Sequence, residues 1–219
     1  MIARPAETSD DKAANRFRLL ELLAVVLTAV GKILCMNVWE LRLPYIIVVL
    51  LAWTAYVVWK RRQSPQAFSD WGLNFDGFFT TLKELLPWAV LLVFSFGIYG
   101  RLSGKMMVSW HILPIFLLYP IWGVLQQFLV LNLFGKNLKD SLKGQMPLWA
   151  IVCSTSLLFG LVHYPFLLLI GATFLLALVY TTLYFRGRNL IALGFYHGWL
   201  ATFFFYWVLG RDSWLEAFG

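Results

Sequence analysis

The sequence predicts an all-α polytopic membrane protein, a helical bundle of about seven transmembrane helices. Composition is the first reason. Of 219 residues, 60% are hydrophobic and 18% aromatic, only 13% are charged, and mean hydropathy is +0.72; a soluble globule is roughly 25% charged. Run length is the second. The apolar runs are continuous and about twenty residues long, as a helix crossing ~30 Å of hydrocarbon requires. They do not alternate over ten-residue segments as the strands of a membrane barrel do. The chain length suits one bundle.

Residues 1–18 read as a polar tail carrying Arg4, Glu7, Asp10, Asp11, Lys12, Arg16 and Arg18. The first apolar run, 19–36, is followed by no small-residue cleavage site, so it reads as a retained anchor helix. Further spans are expected at 44–59, 85–100, 111–134, 147–163, 166–185 and 189–209. Residues 19–109 form the peripheral spans and 210–219 a C-terminal tail. Trp39, Trp59, Trp88, Trp110, Trp149 and Trp207 are placed near span ends, as interfacial aromatics. The link at 60–84 opens on Lys60-Arg61-Arg62, and its second half mixes apolar and polar residues at helical spacing. It predicts a short surface-lying helix or an amphipathic lead-in to the third span.

Net charge is +7. Loop lysines and arginines account for it, and nucleic acid is not an expected partner. With the N-terminus inside, inner segments hold Arg4, Lys12, Arg16, Arg18, Lys60, Arg61, Arg62, Lys83, Lys136, Lys139, Lys143, Arg186 and Arg188. Lys32, Arg42, Arg101, Lys105 and Arg211 remain for the other side. That excess predicts a cytoplasmic N-terminus.

The two cysteines, Cys35 and Cys153, suggest neither a disulfide framework nor a metal site, and read as small buried hydrophobes. Every acidic residue falls in a loop, a tail or the first turn of a span, Glu21 included. This excludes an intramembrane aspartyl dyad and argues against a proton-coupled pump. No metal or cofactor is expected: there is no His-Glu-x-x-His, and His111 lies fifteen residues before Gln126, about 22 Å along a helix. No Gly-x-Ser-x-Gly elbow occurs, and Ser156 is about 10 Å from His163 on one helix face.

What remains is amide and imidazole. Gln126 and Gln127 sit in a run, Ile115 to Phe134, without a charged residue; His163 and His197 sit in later runs. Each alone is equally well a hydrogen bond between helices, worth about 0.6–2 kcal/mol. Three polar sites on three spans point instead to a shared interior site.

The run Ser156-Leu157-Leu158-Phe159-Gly160-Leu161-Val162-His163 resembles the Phe-x-x-x-His motif of the CPBP family, the CAAX proteases and bacteriocin-processing enzymes also called Abi. The run from Asn189 through His197 to Ala201 resembles its third motif, a histidine followed four residues on by Asn or Asp. Gln126-Gln127-Phe128-Leu129-Val130-Leu131 falls where the family has Glu-Glu-x-x-x-Arg. Order and spacing match over about residues 110–205, within a CPBP-like core at 110–209, and Trp71-Gly72-Leu73 looks like the lead-in that precedes it.

The resemblance implies an intramembrane endopeptidase of the bacterial inner membrane, acting on a peptide or protein tail amid membrane lipid. Gln126, Gln127, His163 and His197 take the catalytic positions, and Phe159 and Ala201 binding positions. The departures are Gln for both acids, Leu131 for the Arg and Ala201 for the Asn or Asp. A neutral amide cannot take a proton from water, so hydrolysis would require an imidazole base with amide support. A proteolytically inactive homologue, serving as a binding, immunity or accessory protein, is the alternative; an unrelated transporter or channel is a third reading. Simple spans place Gln126 and His197 each roughly 12 Å deep from the inner side and His163 near the outer end of its span, whereas the family pattern implies that all three meet.

Overall fold

A computed structural model describes residues 9–218, and every regular element among them is helical. The helices are α1 (Ser9–Ile33), α2 (Arg42–Gln63), α3 (Ala67–Asp70), α4 (Phe78–Leu102), α5 (Ile112–Gln127), α6 (Asn137–Leu142), α7 (Leu148–Leu161), α8 (Leu167–Phe185), α9 (Leu190–Phe203) and α10 (Ser213–Phe218). Wider π-helical turns extend α1 over Leu34–Val38, join α5 to α6 over Phe128–Lys136 and extend α9 over Phe204–Leu209.

Six helical stretches are long and apolar enough to cross a membrane: Asp11–Val38, Arg42–Gln63, Phe78–Leu102, Ile112–Leu142, Leu167–Phe185 and Leu190–Leu209. The chain is an integral membrane helical bundle. The remaining expected run, 147–163, folds as the fourteen-residue α7, about 21 Å long at 1.5 Å per residue. The stretch containing α9 is the most enclosed, with 61% of its most apolar residues buried, against 6–33% in the other spanning stretches.

Several boundaries differ from expectation. Residues 9–18, expected as tail, already belong to α1, because hydropathy marks where a helix becomes apolar, not where its hydrogen bonds begin; residues 1–8 lie outside the described residues. The tail at 210–219 contains α10. The 60–84 link holds the end of α2, the four-residue α3 and the first turns of α4, so its second half is the lead-in rather than a separate surface helix. Trp88 lies well inside α4, exposed, instead of near its end.

The earlier α1 start changes the status of Glu21. It lies ten positions into the span Asp11–Val38, is 9% exposed, and accepts a hydrogen bond from Asn137 Nδ2. A carboxylate is therefore buried within a span, contrary to the expectation that none would be. Cys153 is exposed and Cys35 half-buried, so neither is the buried hydrophobe expected.

The chain forms two compact units. One comprises the segment up to Glu40 with Leu129–Thr182; the other comprises Leu41–Phe128 with Leu183–Gly219. In the first, α1 packs on α6, and residues 162–166 join α7 to α8. In the second, the most extensive packing joins α5 to α9, and α4 lies against α9.

Candidate functional site at Gln126 and His197

Placement of α9 begins with Asn189, a buried residue that caps the helix: its Oδ1 accepts from the Ala192 N–H at 3.0 Å. Asparagine suits this position because its side-chain oxygen satisfies a first-turn N–H that has no intrahelical acceptor. The same side chain donates through Nδ2 to the carbonyls of Asn74 (2.7 Å) and Asp76 (2.9 Å), while its backbone N–H donates to Thr81 Oγ1 (3.1 Å). Further along α9, Tyr196 Oη donates to the Leu82 carbonyl at 2.8 Å. One amide and one phenol thus fix α9 against the 74–76 loop and the start of α4.

Glycine sets the distance to α5. A Cβ at Gly194 would lie 2.5 Å from Val124 Cα, one at Gly198 would lie 2.4 Å from the Tyr119 carbonyl carbon, and one at Gly123 would lie 2.2 Å from the Gly194 carbonyl oxygen. No side chain fits these spaces, so the backbones cross in direct contact. Gly194 and Gly198 have the small-xxx-small spacing of close membrane crossings, and they flank His197.

At this crossing His197 Nε2 lies 3.0 Å from Gln126 Oε1. An amide oxygen only accepts, so the imidazole donates through Nε2–H, and in the neutral ring the basic nitrogen is Nδ1. His197 is 5% exposed and Gln126 half-buried. Gln127 is 1% exposed, and among the described residues no group accepts a hydrogen bond from its Nε2. An unpartnered buried amide costs about 1–3 kcal/mol, and here it leaves an N–H donor unused at the neighbouring position to Gln126.

Ala201 follows His197 by one turn, half-buried, and its methyl group offers no hydrogen bond where the resembled motif has an amide or acid. Phe128, next to the glutamines, is 2% exposed and meets Trp71 edge-on with ring centroids 5.0 Å apart. The Trp71-Gly72-Leu73 segment thereby packs at the end of the Gln126-bearing helix.

His163 and Phe159 belong to the first unit. The His163 ring donates from Nδ1 to the Phe159 carbonyl at 2.8 Å and lies 3.2 Å from Thr173 Oγ1. Thr173 gives its own proton to the Leu169 carbonyl at 2.7 Å, which leaves its oxygen to accept. The basic nitrogen of neutral His163 is therefore Nε2. Phe159, 1% exposed, meets the imidazole edge-on at 5.2 Å. The Phe-x-x-x-His spacing works locally: one helical turn brings the ring of His163 onto the carbonyl and the ring of Phe159.

The site residues thus fall into two groups: Gln126, Gln127, His197 and Ala201 in one unit, Phe159 and His163 in the other. No set of three or more His, Cys, Asp or Glu side chains among the described residues is placed to hold a metal ion. Asn189 and the glycines of the crossing are the residues that sequence reasoning passed over. Their signals were present, as an Asn immediately before an apolar run and a Gly-x-x-x-Gly around a membrane histidine. A scan against protein families, a search of curated proteins and a search of solved structures each find no match for the chain.

Proposed function

We propose that the chain is an intramembrane peptidase of CPBP type, hydrolysing a peptide bond in a peptide or protein tail with a histidine base. The 3.0 Å hydrogen bond between Gln126 and His197 carries this reading. It engages the first-motif position with the third-motif histidine and fixes which imidazole nitrogen is basic. His197 Nδ1 takes the proton from water as oxygen attacks the carbonyl carbon. The resulting imidazolium keeps its Nε2–H on Gln126 Oε1, and then returns the proton to the leaving amine. Gln127 Nε2–H, a buried donor with no acceptor among the described residues, is assigned to the developing oxyanion in this reading. The chemistry balances with water as the only co-reactant.

Orientation and location follow from charge and resemblance: N-terminus cytoplasmic, in a bacterial inner membrane. The deciding experiment is cleavage of candidate membrane-anchored peptides by the purified chain. His197→Ala should abolish turnover and Gln127→Leu should lower kcat by about 10²-fold, the scale of losing one oxyanion donor. Undiminished cleavage by His197→Ala overturns the mechanism.

A second reading is favoured by one observation. The pair at the crossing is an amide and an imidazole, with glutamine where the resembled family has its acids. Such a pair recognises a peptide amide as readily as it activates water. A non-catalytic binding or accessory protein would hold the same peptides with no cleavage, and His197→Ala would weaken binding instead of turnover.

A further inference from the structure

The first unit contains a cleft of about 520 Å³ whose lining includes none of the residues of the Gln126–His197 crossing. Its polar walls are Arg18 of α1, Lys139 and Asp140 of α6, and Lys143 in the turn after α6; Leu148 and Ile151 of α7 form an apolar side. Three cations against one carboxylate leave the cleft at a net charge of +2. That volume falls within the range of ligand sites, roughly 300–1,000 Å³.

Local backbone reinforces the sign. Lys143 takes a left-handed conformation (φ 46°), turning the chain between α6 and α7. The fourteen-residue α7 then starts behind Pro147, which supplies no side-chain cap. The first N–H groups of a helix lack intrahelical acceptors, and the dipole adds positive potential there. Leu148 is the first residue of α7, so this helix end borders the cleft.

Its place along the spans bears on the kind of ligand. Lys139 and Asp140 lie in the last turn of the span Ile112–Leu142, and Arg18 lies in the first third of the span Asp11–Val38. Cations at span ends occupy headgroup depth, and basic pockets between helices at that depth suit anionic headgroups. Trp149, which follows Leu148 in the chain, is 70% exposed and is an interfacial residue type. We propose that this cleft binds an anionic phospholipid: Arg18, Lys139 and Lys143 on the phosphate, Asp140 accepting from a headgroup hydroxyl, Leu148 and Ile151 against the glycerol and first acyl carbons. Guanidinium supplies a bidentate contact and the ammonium groups point charges. Lipid binding here does not depend on whether the chain cleaves peptides.

The test is native mass spectrometry of the purified full chain in detergent, titrated with phosphatidylglycerol, phosphatidylcholine or inorganic phosphate. Wild type should retain one phosphatidylglycerol that the triple variant Arg18→Gln/Lys139→Gln/Lys143→Gln binds at least tenfold more weakly. The control Lys60→Gln/Arg62→Gln/Lys83→Gln loses equal charge elsewhere and should bind as wild type. Single Lys139→Gln should show an intermediate loss, which separates a binding effect from misfolding of the triple variant. Equal retention of phosphatidylcholine, equal loss in the control, or unchanged binding by the triple variant overturns the site. Displacement of the lipid by millimolar inorganic phosphate overturns the lipid assignment and makes free phosphate the ligand.

Discussion

His111 and Asp212, 101 positions apart, are joined by a 2.7 Å hydrogen bond from imidazole Nδ1 to carboxylate Oδ2. Tyr206 Oη donates to the other oxygen at 2.7 Å, and the Trp214 N–H reaches it at 3.0 Å. Burial pushes the Asp212 carboxyl up, but hydrogen bonds from His111, Tyr206 and the Leu215 N–H outweigh it and hold the group below its ordinary 3.8. A depressed folded-state value means that this stabilisation is fully present above 3.8 and disappears as pH falls through the lower folded value. Thermal melting from about pH 5 to about pH 3 should show a falling midpoint in wild type and a flatter profile in Asp212→Asn. Equal slopes would remove Asp212 as the source.

Gly194→Ala and Gly198→Ala should each separate α5 from α9. Their added methyls meet backbone at 2.4–2.5 Å, a distance that no rotamer relieves. Overpacking of this kind costs about 1–3 kcal/mol. Denaturant titration in mild detergent should detect it. Gly171→Ala, whose Cβ meets nothing within 4 Å, should be neutral.

Gln126→Glu should place a carboxylate 3.0 Å from His197 Nε2. NMR of the labelled imidazole should show the Nε2 signal move as its acceptor changes from amide to carboxylate. If the chain is a peptidase, cleavage should rise, because the glutamate itself can take a proton from water. Lower activity with a normal melting midpoint would instead identify the neutral pair as the working form.

Asn189→Asp and Asn189→Ala separate two jobs of one side chain. Aspartate keeps the cap acceptor for the Ala192 N–H but loses the donors to Asn74 and Asp76. Alanine loses both. Destabilisation of about 1 kcal/mol per lost cap or neutral hydrogen bond should order the variants wild type, Asp, Ala. An Asp variant as unstable as Ala would mean that the loop contacts, not the cap, hold α9 in place.

The apolar runs were legible because a spanning helix depends on continuous apolar length, which composition records directly. Glu21 was not. Its flank, Ser9–Arg18, is charged enough to resemble a tail, yet nothing in a run of charges prevents helical hydrogen bonding. The α1 start therefore moved, and a carboxylate expected at a span's edge became buried against Asn137. The crossing distance was hidden for another reason: hydropathy scores Gly194 and Gly198 as nearly neutral, while their importance lies in the space that they leave open. His163 was legible as far as its turn, where Phe159 is one helical turn away, but its setting in the first unit depends on Thr173 of a different helix.

The short α7 sets a mechanical condition on the surrounding lipid. At about 21 Å it falls short of ~30 Å of hydrocarbon by about 9 Å, and its exposed Leu157 and Leu161 still require apolar cover. Mismatch costs fractions of a kcal/mol per Å, so the bilayer should dimple around this helix. Reconstitution in lipids with shorter acyl chains should relieve that deformation, and longer chains should increase it. Membrane thickness then becomes a variable of the protein's stability, independent of any residue at the Gln126–His197 crossing.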